Sequence, residues 1–195
     1  MGVLIISGSP RKNGNTMELL KIFEEELYAN EIETDFISLS NKKMNHCINC
    51  DRCYKKGKCA LNDDFNSIYE KVLNNHGLVL GSPVYVGMPT SLLIAFVQRL
   101  TYVSHNNGHT LTRKVGGPIA VAGETGQLAT LNSLVDFYLV NEMIIPSSEY
   151  WNIGVGAKKG AIKSDENGKR YIKKFAQNLA WLLKNIWGDI YEKGR

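Results

Sequence analysis

Four cysteines, Cys47, Cys50, Cys53 and Cys59, fall between positions 47 and 59 and nowhere else in the 195-residue chain. Thiolates this close in sequence bind a metal, cycle a disulfide or do nothing. The spacing Cys-x2-Cys-x2-Cys-x5-Cys helps to separate these cases. Zinc ribbons pair two Cys-x2-Cys knuckles across a longer gap, which three cysteines at successive intervals of three do not supply. Ferredoxin-type runs place three cysteines at this spacing around one corner of a 4Fe-4S cluster and take the fourth ligand from elsewhere. The only other cysteine is Cys59, so the spacing favours one cluster held by all four. A disulfide pair is disfavoured in a reducing cytosol. Zinc, or thiols that hold no metal, are the competing readings. His46, beside Cys47, reads as a solvated loop residue or as a hydrogen-bond donor to the site.

Arg52, Lys55, Lys56 and Lys58 are interleaved with the cysteines, and Asp51, Asp63 and Asp64 lie nearby. Cations beside an anionic four-thiolate cluster would raise its reduction potential and could steer an acidic carrier such as ferredoxin to it. The plain alternative is a solvated charged loop.

A second group of residues suits a phosphate. Ser7-Gly8-Ser9-Pro10-Arg11-Lys12-Asn13-Gly14-Asn15-Thr16 joins an apolar run to a helical pattern. Hydroxyls, backbone N–H groups, a helix N-terminus and Arg11 can together hold a phosphate dianion. The spacing is neither Walker A nor Gly-x-Gly-x-x-Gly, which argues against triphosphate hydrolysis and against a dinucleotide fold. An ordinary Gly/Ser turn is the bland reading.

Ser82-Pro83-Val84-Tyr85-Val86-Gly87-Met88-Pro89 is an apolar, aromatic-bearing loop with free amides. It suits a flat heteroaromatic ring such as isoalloxazine, with Gly123 and Glu124 placed to close the other side. Tyr85 reads equally as a partly buried packing residue. Gly154-Val155-Gly156-Ala157-Lys158-Lys159-Gly160 resembles a nucleotide fingerprint, but its third glycine comes one place late, and a mobile surface loop is expected there. Ser9 and Ser82 sit in strand-end loops, but neither lies in Gly-x-Ser-x-Gly, so no nucleophile is assigned.

These segments are positioned by a repeated theme of apolar run, Gly/Ser/Pro/Asn break and helical stretch. Strands are expected at Val3–Ile6, Ile32–Leu39, Gly77–Gly81, Val115–Ala122 and Met143–Ile145. Helices are expected at Thr16–Tyr28, from Asp64 onward, from Ser91 through Leu100, at Leu128–Val140 and at Tyr171–Ile186. Such alternation predicts right-handed crossovers and one parallel sheet between two helical layers, a three-layer α/β sandwich. Five strands match the flavodoxin-like order 2-1-3-4-5, in which ligands bind beyond the carboxyl ends of the strands. The cysteine segment, about residues 41–63, reads as a loop inserted after the second strand. Residues 1–195 are expected to form a single domain.

Composition narrows the function classes. The chain is 44% hydrophobic and 22% charged, ordinary globular values. Its net charge of +4 is too mild for a nucleic-acid binder. No apolar run reaches the roughly 20 residues of a membrane span. Met1 runs straight into Val3–Ile6 with no basic stretch, a core strand and not a signal peptide, so a cytoplasmic location is expected.

Three motifs in order carry a resemblance. Ser7-Gly8-Ser9-Pro10-Arg11 with Asn15-Thr16, then the compact cysteine run, then Ser82-Pro83-Val84-Tyr85 with Leu92 and Phe96 after it, are similar to the iron-sulfur flavoprotein branch of the NADPH-dependent FMN reductase family. The resemblance spans nearly the whole chain. It implies a flavodoxin-like fold, tightly bound FMN, a 4Fe-4S cluster on the four cysteines, and a homodimer or homotetramer. It assigns Ser7, Ser9, Arg11, Asn13, Asn15 and Thr16 to the FMN phosphate, and Pro83, Val84, Tyr85, Val86 and Gly87 to the ring. Two departures stand out: the loop at Gly87-Met88-Pro89 is one residue shorter than in many members, and the loop after strand four lacks a longer Gly-rich stretch. The expected function is electron transfer between a one-electron carrier such as ferredoxin, or NAD(P)H, and an acceptor. A cluster-free NAD(P)H-dependent FMN or quinone reductase and a zinc-binding redox sensor are the alternatives.

Overall fold

Apolar runs between Gly, Ser and Pro breaks fold as strands, and the stretches with apolar residues every three or four places fold as helices. A computed structural model describes residues 1–192, with side chains through residue 188. The elements run β1 (Gly2–Ser7), α1 (Asn15–Ala29), β2 (Glu33–Ser38), α2 (Arg52–Lys56), α3 (Phe65–Asn74), β3 (Gly77–Pro83), α4 (Ser91–His105), β4 (Val115–Ala122), α5 (Gln127–Val140), β5 (Ile153–Val155) and α6 (Glu166–Glu192). The five strands are parallel in the order β2-β1-β3-β4-β5, as the alternation predicts.

Strand residues alternate between faces, so one apolar run feeds two cores. Leu4, Ile6, Leu78 and Leu80 pack with Phe65, Phe96 and Tyr138 of α3, α4 and α5. Val3, Ile5, Val79 and Ile119 pack with Phe23, Leu27 and Phe175 of α1 and α6. Gly116 is required where it stands, because a Cβ there would lie 1.8 Å from the Leu78 carbonyl oxygen. Among the described residues no helix is long and apolar enough to cross a membrane.

The edge strand departs from expectation. Met143–Ile145 contributes only an isolated bridge, Ile144 to Val115, and the fifth strand is Ile153–Val155 paired with Ala120–Ala122. The reason lies in β4. Gly116 N–H donates to Ile144 O and Ala120 N–H donates to Asn152 O, both at 3.0 Å. Pro118, between them on that edge, has no N–H, so the pairing breaks there. The supposed surface loop from Gly154 therefore begins inside the sheet.

The cysteine segment also contains more order than its composition suggests. The short helix α2 carries Cys53 and ends at Gly57, whose φ of 68° suits glycine.

Candidate functional site

The loops after β1, β3, β4 and β5 meet at the carboxyl end of the sheet around a cleft of about 150 Å³. Ser9, Arg11, Gly14, Asn15 and Thr16 line one side, and Pro83, Val84, Tyr85 and Gly123 the other. The α1 N-terminus opens on this cleft, with no side chain capping it. Its first helical bond runs from Glu18 N–H to Gly14 O at 3.1 Å, so the amides of Asn15, Thr16 and Met17 precede the ladder. Ser9 Oγ accepts from Arg11 N–H at 3.2 Å, which shapes the turn, and Thr16 is buried. Uncapped amides, a hydroxyl and a guanidinium fit a phosphate group. Of the sequence candidates, Ser7, Asn13, Val86, Gly87 and Glu124 lie outside the lining set.

Asn15 lines the cleft, and its side chain also bonds outside the phosphate loop. Its Nδ2 donates to Gly156 O at 2.6 Å and to Lys158 O at 2.9 Å, and its Oδ1 accepts from Gly160 N–H at 2.8 Å. The side chain thus fastens the loop after β5, which contributes Gly156 and Ala157 to the cleft wall.

Val86 and Gly87, with φ of 52° and 73°, are the central residues of a turn in which Tyr85 and Met88 exchange N–H···O bonds of 2.9 Å. Positive φ at both positions defines a type I′ turn, where a β-branched residue is strained by about 1–3 kcal/mol. Val86 is fully exposed, so packing does not offset that strain. Val86→Asn is expected to raise stability by about 1 kcal/mol in urea unfolding, and an unchanged midpoint would refute the strain.

The cysteine segment forms a second centre. Cys47, Cys50, Cys53 and Cys59 line one small cavity of about 20 Å³ together with Arg99 and Tyr102 of α4. Among the described residues no three His, Cys, Asp or Glu side chains are gathered at metal-binding distance. The surroundings nevertheless suit thiolates: Arg99 Nη2 donates to Cys59 Sγ and Asn106 Nδ2 to Cys53 Sγ, each at 3.1 Å.

Arg99 and Asp63 hold this segment in place. Both side chains are 1% exposed, and the guanidinium forks onto the carboxylate at 2.6 and 2.9 Å. Asp63 also accepts from the backbone N–H groups of Asn45 and Phe65. Burial alone pushes the Asp63 carboxyl up, but the Arg99 bond and the two amides overcome it and hold it at about 2. Asp63 is thus committed to α4 and does not balance the loop lysines. Among the described residues no ion pair engages Arg52, Lys55, Lys56 or Lys58, and all four are exposed.

Arg99 and Asn106 were not among the sequence candidates. The available signal was a charged residue on the apolar stripe of a helix, since Arg99 lies in register with Phe96 and Val103.

Residues 1–158 match the NADPH-dependent FMN reductase family. The chain is 36% identical over 193 residues to an iron-sulfur flavoprotein of Methanocaldococcus jannaschii, covering 95% of this chain and 99% of that protein. It is 32% identical over 193 residues to an iron-sulfur flavoprotein of Methanosarcina thermophila, covering 95% and 97%. Among solved structures, RosB with bound 8-demethyl-8-formylriboflavin-5'-phosphate superposes with a TM-score of 0.76 at 18% identity, covering 100% of this chain and 86% of that one. With a flavodoxin-like sheet and a phosphate-suited cleft at its carboxyl edge, the chain belongs to the iron-sulfur flavoprotein branch of the NADPH-dependent FMN reductase family and is an FMN-dependent oxidoreductase.

Proposed function

We propose that the chain is a single-domain electron-transfer flavoprotein of the cytoplasm, with FMN in the cleft beyond β1 and β3 and a 4Fe-4S cluster on Cys47, Cys50, Cys53 and Cys59. It passes electrons between a one-electron carrier such as ferredoxin, or NAD(P)H, and an acceptor. The observation that carries this reading is that all four cysteines border one cavity, with N–H donors aimed at two of the sulfurs. The flavin supplies two-electron exchange and the cluster single-electron steps. Ser9, Arg11 and Thr16 with the α1 amides hold the phosphate, while Pro83, Val84, Tyr85 and Gly123 bound the ring. Exposed Met88, Leu128, Leu139 and Val140 give the surface apolar area that a homodimer or homotetramer would cover.

Anaerobic purification followed by a visible spectrum and assay of iron, sulfide, zinc and FMN tests this directly. About four irons and one FMN per chain are expected for one cluster site. Flavin bands without iron, persisting after reconstitution with iron and sulfide, would leave a cluster-free FMN or quinone reductase, and stoichiometric zinc would leave the redox-sensor reading.

Two variants separate the centres. Arg11→Ala removes a charge-assisted contact to phosphate and should weaken FMN binding by roughly tenfold, read by flavin fluorescence quenching. Unchanged affinity would remove Arg11 from the phosphate site. Reversing Lys55, Lys56 and Lys58 to Glu should slow reduction by ferredoxin by about tenfold at low salt and leave reduction by dithionite unchanged. Equal ferredoxin rates would exclude steering by these lysines.

A further inference from the structure

One face of α4 addresses the cysteines along two helical turns. Arg99, Tyr102 and Val103 line the cavity with the four thiols. Asn106, at the C-terminal cap of the same helix, donates to Cys53 Sγ at 3.1 Å. Arg99 Nη2 donates to Cys59 Sγ at the same distance.

The guanidinium has no freedom to swing away. It is forked on Asp63, donates to Asn45 O at 3.0 Å, and lies 4.3 Å from the centroid of the Phe65 ring. Because Arg99 and Asp63 form a neutral pair, Cys59 meets a fixed N–H dipole and not a lone added charge. At its other end α4 starts from Thr90, whose hydroxyl donates to Gly8 O at 2.8 Å in the phosphate-side loop. The helix is therefore anchored at the flavin cleft and aimed at the cysteines.

We propose that α4 sets the reduction potential of the cysteine-bound cluster, through Arg99 on Cys59 and Asn106 on Cys53. This inference rests on the cysteines being cluster ligands. An N–H donated to a ligand sulfur draws charge from it and stabilises the reduced, more negative state, which raises the potential. Arg99 and Asn106 are positioning residues, since each acts through a cysteine. Neither has to exchange a proton or an electron.

The test uses the full-length chain, reconstituted anaerobically, with the cluster midpoint measured by dye-mediated titration and electron paramagnetic resonance. Asn106→Ala lies outside the buried ion pair and keeps the backbone bonds of the α4 C-cap. It should shift the one-electron equilibrium toward the oxidised form by on the order of tenfold, about 59 mV. Arg99→Lys keeps a cation for Asp63 but lacks the second arm that reaches Cys59, and should shift the equilibrium the same way. A purely structural role would lower cluster retention or the unfolding midpoint and leave the potential of the retained cluster unmoved. An unchanged potential in Asn106→Ala overturns the proposal, whatever becomes of Arg99→Lys. A wild-type chain that binds FMN but takes up no iron overturns the cluster reading, and this inference with it.

Discussion

Replacing Asp63 with asparagine should cost about 3–5 kcal/mol in unfolding free energy, because it leaves the Arg99 guanidinium buried without its counter-charge. The consequence is local before it is global. Asp63 ties Asn45, on the ascending arm of the cysteine segment, to Phe65 at the start of α3, and through Arg99 to Cys59. The cysteine segment of the variant should therefore open at urea concentrations where the flavin cleft persists.

The wild-type pH dependence follows from the same carboxyl. Its folded-state value of about 2 lies below the ordinary 3.8, so the unfolded chain binds the proton more tightly. The stabilisation is complete above roughly pH 4 to 5 and is lost as the pH falls through 3.8 toward 2. Asp63→Asn should flatten the stability profile in that window by up to one proton. Urea unfolding at pH 7, 4 and 3 checks both effects, and a cost near 1 kcal/mol with an unaltered acid limb would show that the pair does not anchor the segment.

The buried sheet is legible because its residues are apolar on both faces. Val3–Ile6, Gly77–Gly81 and Val115–Ala122 announce central parallel strands, and the breaks after the first two mark the loops that form the cleft. The edge strand is not legible in the same way, since three residues pair there and the deciding feature is a missing donor at Pro118 on the neighbouring strand. The cysteines declare their own importance by density, yet what holds them is written elsewhere. Arg99 lies 40 residues from Cys59 and Asn106 lies 53 from Cys53, and each looks like an ordinary helix residue until the segment folds over α4. Asp63 looks like one more loop charge until its burial is known. Type alone puts Asn15 in the phosphate loop, but its amide reaches a segment 141 residues away that reads as surface.

That long reach gives the second large effect. Asn15→Ala removes three hydrogen bonds to the loop after β5, each worth about 0.5–1.5 kcal/mol net. Gly156 and Ala157 wall the cleft, so loosening them should weaken flavin binding by on the order of 2 kcal/mol, roughly thirtyfold. Riboflavin separates this role from a phosphate contact. A residue that fastens the wall matters equally for FMN and for riboflavin, whereas a phosphate ligand matters for FMN alone. Asn15→Ala should therefore weaken both flavins by the same factor, while Arg11→Ala weakens only FMN. A loss confined to FMN would return Asn15 to the phosphate site. Gly156→Ala offers an independent approach from the other side of the clasp, because a Cβ there would stand 2.7 Å from Asn15 Nδ2. It should reproduce the loss for both flavins without altering any residue of the phosphate loop.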